Sequence, residues 1–358
     1  MKQIKIILFA LLAVPCFLFA QKKQVVIDFA DTIVPRIKYG FDMLEHALKQ
    51  NGYEVSFAKK VQKGTGYTSI TVMPITELGG KGHGANMHDE EFRIAGLKNA
   101  YVITGADASG ILYACLELAR IVNAEKKLPP ELDLHEQPQM VLRGTWIGIQ
   151  KPVYLPGRTV YEYPYTPETF PWLYDKKLWL QYLDSMVANR LNSLYLWNGH
   201  PFASLVKLND YPYAVEVDDA TFKKNEELFQ FLTTEADKRG IWVIQMFYNI
   251  IVSKPFAEKH NIKTQDRNRP IVPLISDYTR KSIAAFVAKY PNVGLLITLG
   301  EGMEGQGQDD VDWFCKTIIP AVKDGLKLLG EKDEPPIVLR AHDTDAPRVM
   351  KDAMPLYK

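Results

Sequence analysis

The chain has 358 residues, of which 47% are hydrophobic and 24% charged, and its formal net charge is +1. That length suits about two domains with ample core material. A near-neutral balance without long basic runs argues against nucleic acid or an acidic membrane surface as the primary partner.

The first twenty residues differ from the rest. Lys2 and Lys5 lead an apolar run from Ile6 to Ala20, which then meets Gln21, Lys22 and Lys23. The run is too short and wrongly flanked to span a membrane, and Ala20 is a small residue suited to a cleavage site, so 1–20 reads as a signal peptide. The mature protein is then periplasmic or secreted, without a membrane span. A lipoprotein acylated at Cys16 is disfavoured by Pro15 beside it. Cys115 and Cys315 fall in different expected domains on apolar helix patterns, which reads as buried free thiols. No CxxC or His/Cys cluster occurs, so neither a metal nor another cofactor is expected.

Residues 21–125 read as a compact α+β domain. Val25–Phe29 is an apolar strand, and Ile37, Phe41, Leu44 and Leu48 recur at helical spacing until Asn51-Gly52. Short strands follow at Tyr53–Ala58 and Thr68–Met73, then a Gly-rich loop at Gly79–Gly84. A hairpin is split at Gly96–Asn99, and a helix runs from Ser109 to Val122. Pro129, Pro130 and Pro138 mark 126–139 as a linker.

From 140 to 358 strands and helices alternate strictly, which predicts parallel pairing with crossover helices. The strands are expected at Val141–Ile149, Ser193–Trp197, Ile241–Phe247, Val293–Leu299 and Pro336–Ala341. This is the rhythm of an α/β (β/α)8 TIM barrel, apparently truncated after about five units. A doubly wound sheet is the alternative, but no GxGxxG loop follows the first strand.

Barrel sites lie at the carboxyl ends of the strands. Here those ends offer Trp146, then Trp197, Asn198 and His200, then Tyr248, and finally Arg340, His342, Asp343 and Asp345. Flat aromatic faces stack on pyranose rings, and the polar groups satisfy hydroxyls, so the palette suits an oligosaccharide or polysaccharide. Glu301 follows the apolar run Leu295–Leu299 between Gly300 and Gly302. A carboxyl there, partly desolvated, has the character of a general acid. Glu304 is a weaker duplicate, placed with the substrate contacts. A second catalytic group is required unless the substrate assists: Asp343, or else Asp345, could supply it, and it is equally expected on strands six to eight, beyond the five units read here. His342, Asp343 and Asp345 do not read as a metal site, because alternate residues leaving a strand diverge.

The stretch from Glu91 to Ala114, with Ala100-Tyr101-Val102-Ile103-Thr104-Gly105-Ala106-Asp107 at its centre, resembles the closing hairpin and helix of the α+β domain that precedes the barrel in several glycoside hydrolases. These include α-glucuronidases of families 67 and 115 and β-hexosaminidases of family 20. The resemblance implies an exo-acting glycosidase with its acid at the end of the fourth strand, here Glu301. Gly300 stands where the hexosaminidases carry an acidic neighbour. The α-glucuronidase kind therefore fits better, with Arg340, Arg143 or Lys151 to meet a uronate. The alternatives are a non-catalytic carbohydrate-binding protein on the same scaffold and a β-hexosaminidase-like enzyme.

Overall fold

A computed structural model describes residues 23–29, 31–59, 66–74, 89–156, 158, 163–248, 251–268, 271–299, 307–331 and 333–357. The expected signal peptide, the loop at 79–84 and both Glu301 and Glu304 lie outside the described residues. Among those described, no helix is long and apolar enough to cross a membrane.

Among the described residues the first part is a six-stranded mixed sheet in the order β2-β1-β3-β5-β4-β6. Its strands are β1 Lys23–Phe29, β2 Tyr53–Ala58, β3 Tyr67–Pro74, β4 Phe92–Leu97, β5 Ala100–Gly105 and β6 Glu131–Glu136. Helices α1 (Pro35–Gln50) and α2 (Ala108–Glu125) pack against each other. Asp107 caps α2 by accepting the Gly110 N–H at 2.7 Å, satisfying a donor that the first turn leaves open. Gly110 is required for close approach, since a Cβ there would sit 2.4 Å from the Glu91 carbonyl oxygen.

Strand β6 corrects the expected linker. It pairs antiparallel with β4 from Glu131↔Leu97 to Glu136↔Phe92. The prolines flank it rather than interrupt it, and Leu132 and Leu134 alternate with acidic residues as an edge strand should.

The second sheet has, among the described residues, five parallel strands in the order β11-β10-β9-β8-β7: β7 Gly144–Gly148, β8 Ser193–Trp197, β9 Trp242–Tyr248, β10 Val293–Thr298 and β11 Ile337–Arg340. The order never reverses, as a doubly wound sheet would require. Crossovers of one hand then place their helices on one face. These are α3 (Lys176–Ala188), α4 (Phe202–Leu205), α5 (Asp219–Asp237), α6 (Lys254–Lys259), α7 (Pro273–Lys289), α8 (Gln308–Trp313), α9 (Ile319–Leu329) and α10 (Ala346–Ala353). A π turn at Phe314–Ile318 joins α8 to α9, where Pro320 has no N–H to give to the carbonyl four residues back. On the helix side, Leu194, Leu196, Val243, Phe247, Leu295 and Ile297 belong to the main core.

The two parts meet through charged groups at the amino ends of the parallel strands. Arg143 donates to Glu90 at 2.5 Å, and Asn192 donates to the same carboxylate at 3.0 Å. Arg190 pairs with Glu117 at 2.9 Å and lies over the Tyr113 and Phe92 rings. Arg36 bonds Asp237 and Ser109. The expectation that Arg143 could face a uronate fails here, because its guanidinium is bound to Glu90 and to backbone carbonyls at the opposite end from the strand mouths.

Candidate active site

Register decides which side chains share a face. In the parallel sheet Trp146 pairs with Tyr195 and Tyr195 with Ile244, Trp197 pairs with Met246 and Met246 with Leu296, and Tyr248 pairs with Thr298 and Thr298 with Arg340. Paired residues of neighbouring strands project to the same side, so Trp146, Tyr195, Trp197, Tyr248 and Arg340 all lie on the face away from the helices. Ile244, Met246 and Leu296 form a small apolar cluster on that face, with Tyr195, Trp197 and Tyr248 packed on it. Trp146 stacks on Tyr195 with centroids 5.7 Å apart and planes 11° from parallel, and Trp197 meets Trp146 edge-on at 6.3 Å. Trp146, on edge strand β7, is 47% exposed in this five-stranded sheet, whereas in a closed barrel this face would be the packed interior below the strand mouths. Two further polar groups belong to the same face. The Thr298 hydroxyl and the Trp197 indole N–H are both buried and without a hydrogen-bond partner among the described residues.

Tyr195 is not among the expected substrate contacts. Its signal is nonetheless present in the alternation Tyr195–Trp197, which puts both rings on one side of a strand.

Asn198 and His200 correct the expected substrate contacts. Asn198 is fully buried, and its amide donates to the Ile149 and Tyr163 carbonyls at 3.1 and 2.9 Å while its oxygen accepts the His200 N–H. It is a brace that joins the start and the middle of the connection after β7 to the end of β8. His200 is buried with Nε2 2.8 Å from the Tyr278 hydroxyl. Burial, reinforced by the Arg158 cation, pushes its imidazole down to about 3, so it is neutral at any working pH. Lys151, the other candidate for a uronate, lies over the Phe170 ring at 5.3 Å.

Beyond β11, His342, Asp343 and Asp345 are exposed. Asp343 adopts a left-handed conformation with φ 53°, and Asp345 caps α10 by accepting the Arg348 N–H at 3.3 Å. The neighbouring α8 packs against α10 and carries Asp310 in its first turn. Asp310 is buried, with Oδ2 unpartnered among the described residues. Burial first, then the charges of Asp309, Asp343 and Asp345, raise its carboxyl to about 6. The sequence marks it only as a helix residue. Glu301 and Glu304 belong to the connection between β10 and α8, outside the described residues.

A cleft of about 450 Å³ lies elsewhere, at the domain junction, lined by Glu90, Phe92, Tyr113, Arg143 and Arg190 among others. Its charged walls are committed to the ion pairs described above. The strand mouths remain the better candidate on chemistry.

Over 94% of its length the chain is 56% identical, with a TM-score of 0.81, to the solved structure of a GH138 enzyme targeting pectin rhamnogalacturonan II. The chain spans 37% of that enzyme's length. The GH20 beta-N-acetylhexosaminidase from Streptomyces coelicolor is similar in fold, with a TM-score of 0.51 at 14% identity over 93% of this chain and 68% of the other. So is CpGH84D, with a TM-score of 0.53 at 12% identity over 88% of this chain and 46% of the other. No protein-family model matches the chain, and no curated protein matches it. The chain thus has the fold of glycoside hydrolases. The family 20 likeness agrees with the resemblance of the stretch from Glu91 to Ala114.

Proposed function

We propose that this chain supplies the α+β domain and five β/α units of an exported (β/α)8 glycoside hydrolase. It acts from the ends of acidic, pectin-type side chains, with Glu301 as general acid. The supporting observation is the face on which Trp146, Tyr195, Trp197, Tyr248 and Arg340 stand in register, together with 56% identity to an enzyme targeting a pectin. Pectins are rich in uronic acids, whose ring offers an apolar face for Trp146 and a carboxylate for a guanidinium. Arg340 stands at the mouth, and exposed Lys151 lies in the connection just after β7, whereas Arg143 is bound at the opposite end, so the α-glucuronidase-like, uronate-releasing reading rests on Arg340 with Lys151 as a second cation.

Glu301 would protonate the leaving oxygen, and Asp343 would act opposite it as base or nucleophile. Glu301→Gln in the complete enzyme is expected to lower release of monosaccharide from pectic oligosaccharides by about 10²–10⁴-fold while calorimetry shows sugar binding retained. Unchanged turnover would remove Glu301 from the mechanism. Tight binding of sugar by the wild type without any product released would favour the non-catalytic carbohydrate-binding reading.

A further inference from the structure

At the carboxyl side of the parallel sheet, a buried ion pair joins three successive connections. Arg158, in the connection after β7, donates through Nη2 to Glu216 Oε2 at 2.5 Å and through Nη1 to Oε1 at 3.4 Å. Glu216 belongs to the connection after β8, where its own N–H donates to the Ala203 carbonyl at 3.0 Å. Its Oε1 also accepts the backbone N–H of Lys254, the first residue of α6 after β9. The two side chains are 7% and 3% exposed. The same connections are tied at their roots. Ile149 N–H donates to the Trp197 carbonyl at 2.7 Å, and Tyr248 N–H to the Gly199 carbonyl at 3.1 Å.

Taking two opposite charges out of water is costly, and apolar side chains of similar volume hold loops together as firmly. What an apolar contact lacks is direction. A carboxylate gripped by a guanidinium fork and by a backbone N–H fixes the angle between the segments as well as their separation. The segments so fixed are the ones that leave Trp146, Trp197 and Tyr248, the rings of the aromatic face.

We propose that Glu216 and Arg158 are positioning residues for substrate: they lock the connections after β7 and β9 onto the one after β8, and so hold the aromatic face at the spacing a sugar ring requires. The inference rests on the glycosidase reading for its substrate.

The test uses the complete enzyme with pectic oligosaccharides. Arg158→Lys keeps the charge and removes the fork. It is expected to raise KM by about 3–10-fold with kcat held within about twofold, because ground-state and transition-state contacts to the ring weaken alike. The double substitution Arg158→Met with Glu216→Met is expected to melt within a few degrees of the wild type, yet to keep the raised KM. An unchanged KM in Arg158→Lys, or full recovery of KM in the double variant, would overturn the proposal by making the pair a plain strut. If the wild type releases no sugar, the glycosidase reading fails by itself. Calorimetric affinity for the same oligosaccharides, weaker in Arg158→Lys or not, then decides the positioning role.

Discussion

Asp310 shows what one buried carboxyl does to pH dependence. Its ordinary value is 3.8, and in the folded chain it rises to about 6 through burial and the nearby Asp309, Asp343 and Asp345. The folded state therefore holds this proton more tightly than the unfolded chain does. Stability is greatest below the ordinary value and falls as pH rises from about 4 to about 6. Asp310→Asn keeps the shape and removes the charge. It is expected to raise stability by about 1–3 kcal/mol at pH 8 and to change little at pH 4. Denaturant melts at the two pH values check this, and an equal effect at both would contradict it. At this scale the sequence is legible only in part. Trp146, Trp197, Tyr248 and Arg340 lie within strands, where side chains alternate sides, so their common face follows from register. Asn198 and His200 lie just past the strand end, where alternation stops. Whether such residues point to solvent or fold back onto carbonyls depends on chain segments far away in sequence, as the bond from Asn198 to the Tyr163 carbonyl shows. The Arg143–Glu90 and Arg158–Glu216 pairs are equally long-range and leave no local trace.

Among the elements, strands and long helices are readable because apolar periodicity is a local signal. The five parallel strands fall within a few residues of expectation, and the hairpin of β4 and β5 turns where Gly96–Asn99 predicts. Strand β6 is hidden because three prolines outweigh a short alternation. The four-residue α4 and the six-residue α6 are too short for periodicity to register. One glycine carries weight that sequence alone conceals. A Cβ on Gly144 would lie 2.0 Å from the Ser193 carbonyl oxygen, at the point where β7 meets β8. Gly144→Ala is expected to cost about 2 kcal/mol or more, since backbone rather than a flexible side chain must yield. A midpoint of chemical unfolding unchanged from wild type would show that the two strands can part there without penalty.

For the molecule as a whole, the parallel sheet has β7 and β11 at its edges among the described residues, and its face away from the helices is only partly covered. With Trp146 47% exposed over that face, the 358-residue chain expressed alone is expected to bind a hydrophobic dye strongly at neutral pH. Fluorescence no higher than that of a compact control protein would contradict this. The strand order has a further consequence, for assembly during synthesis. Each strand of this sheet pairs with the one made just before it, and the six-stranded sheet is complete by residue 136. The amino-terminal domain can thus be finished while the rest is still being translated, and each later β/α unit meets a ready template as it emerges. Among the described residues, the strands of this sheet can therefore dock in the order in which they are made.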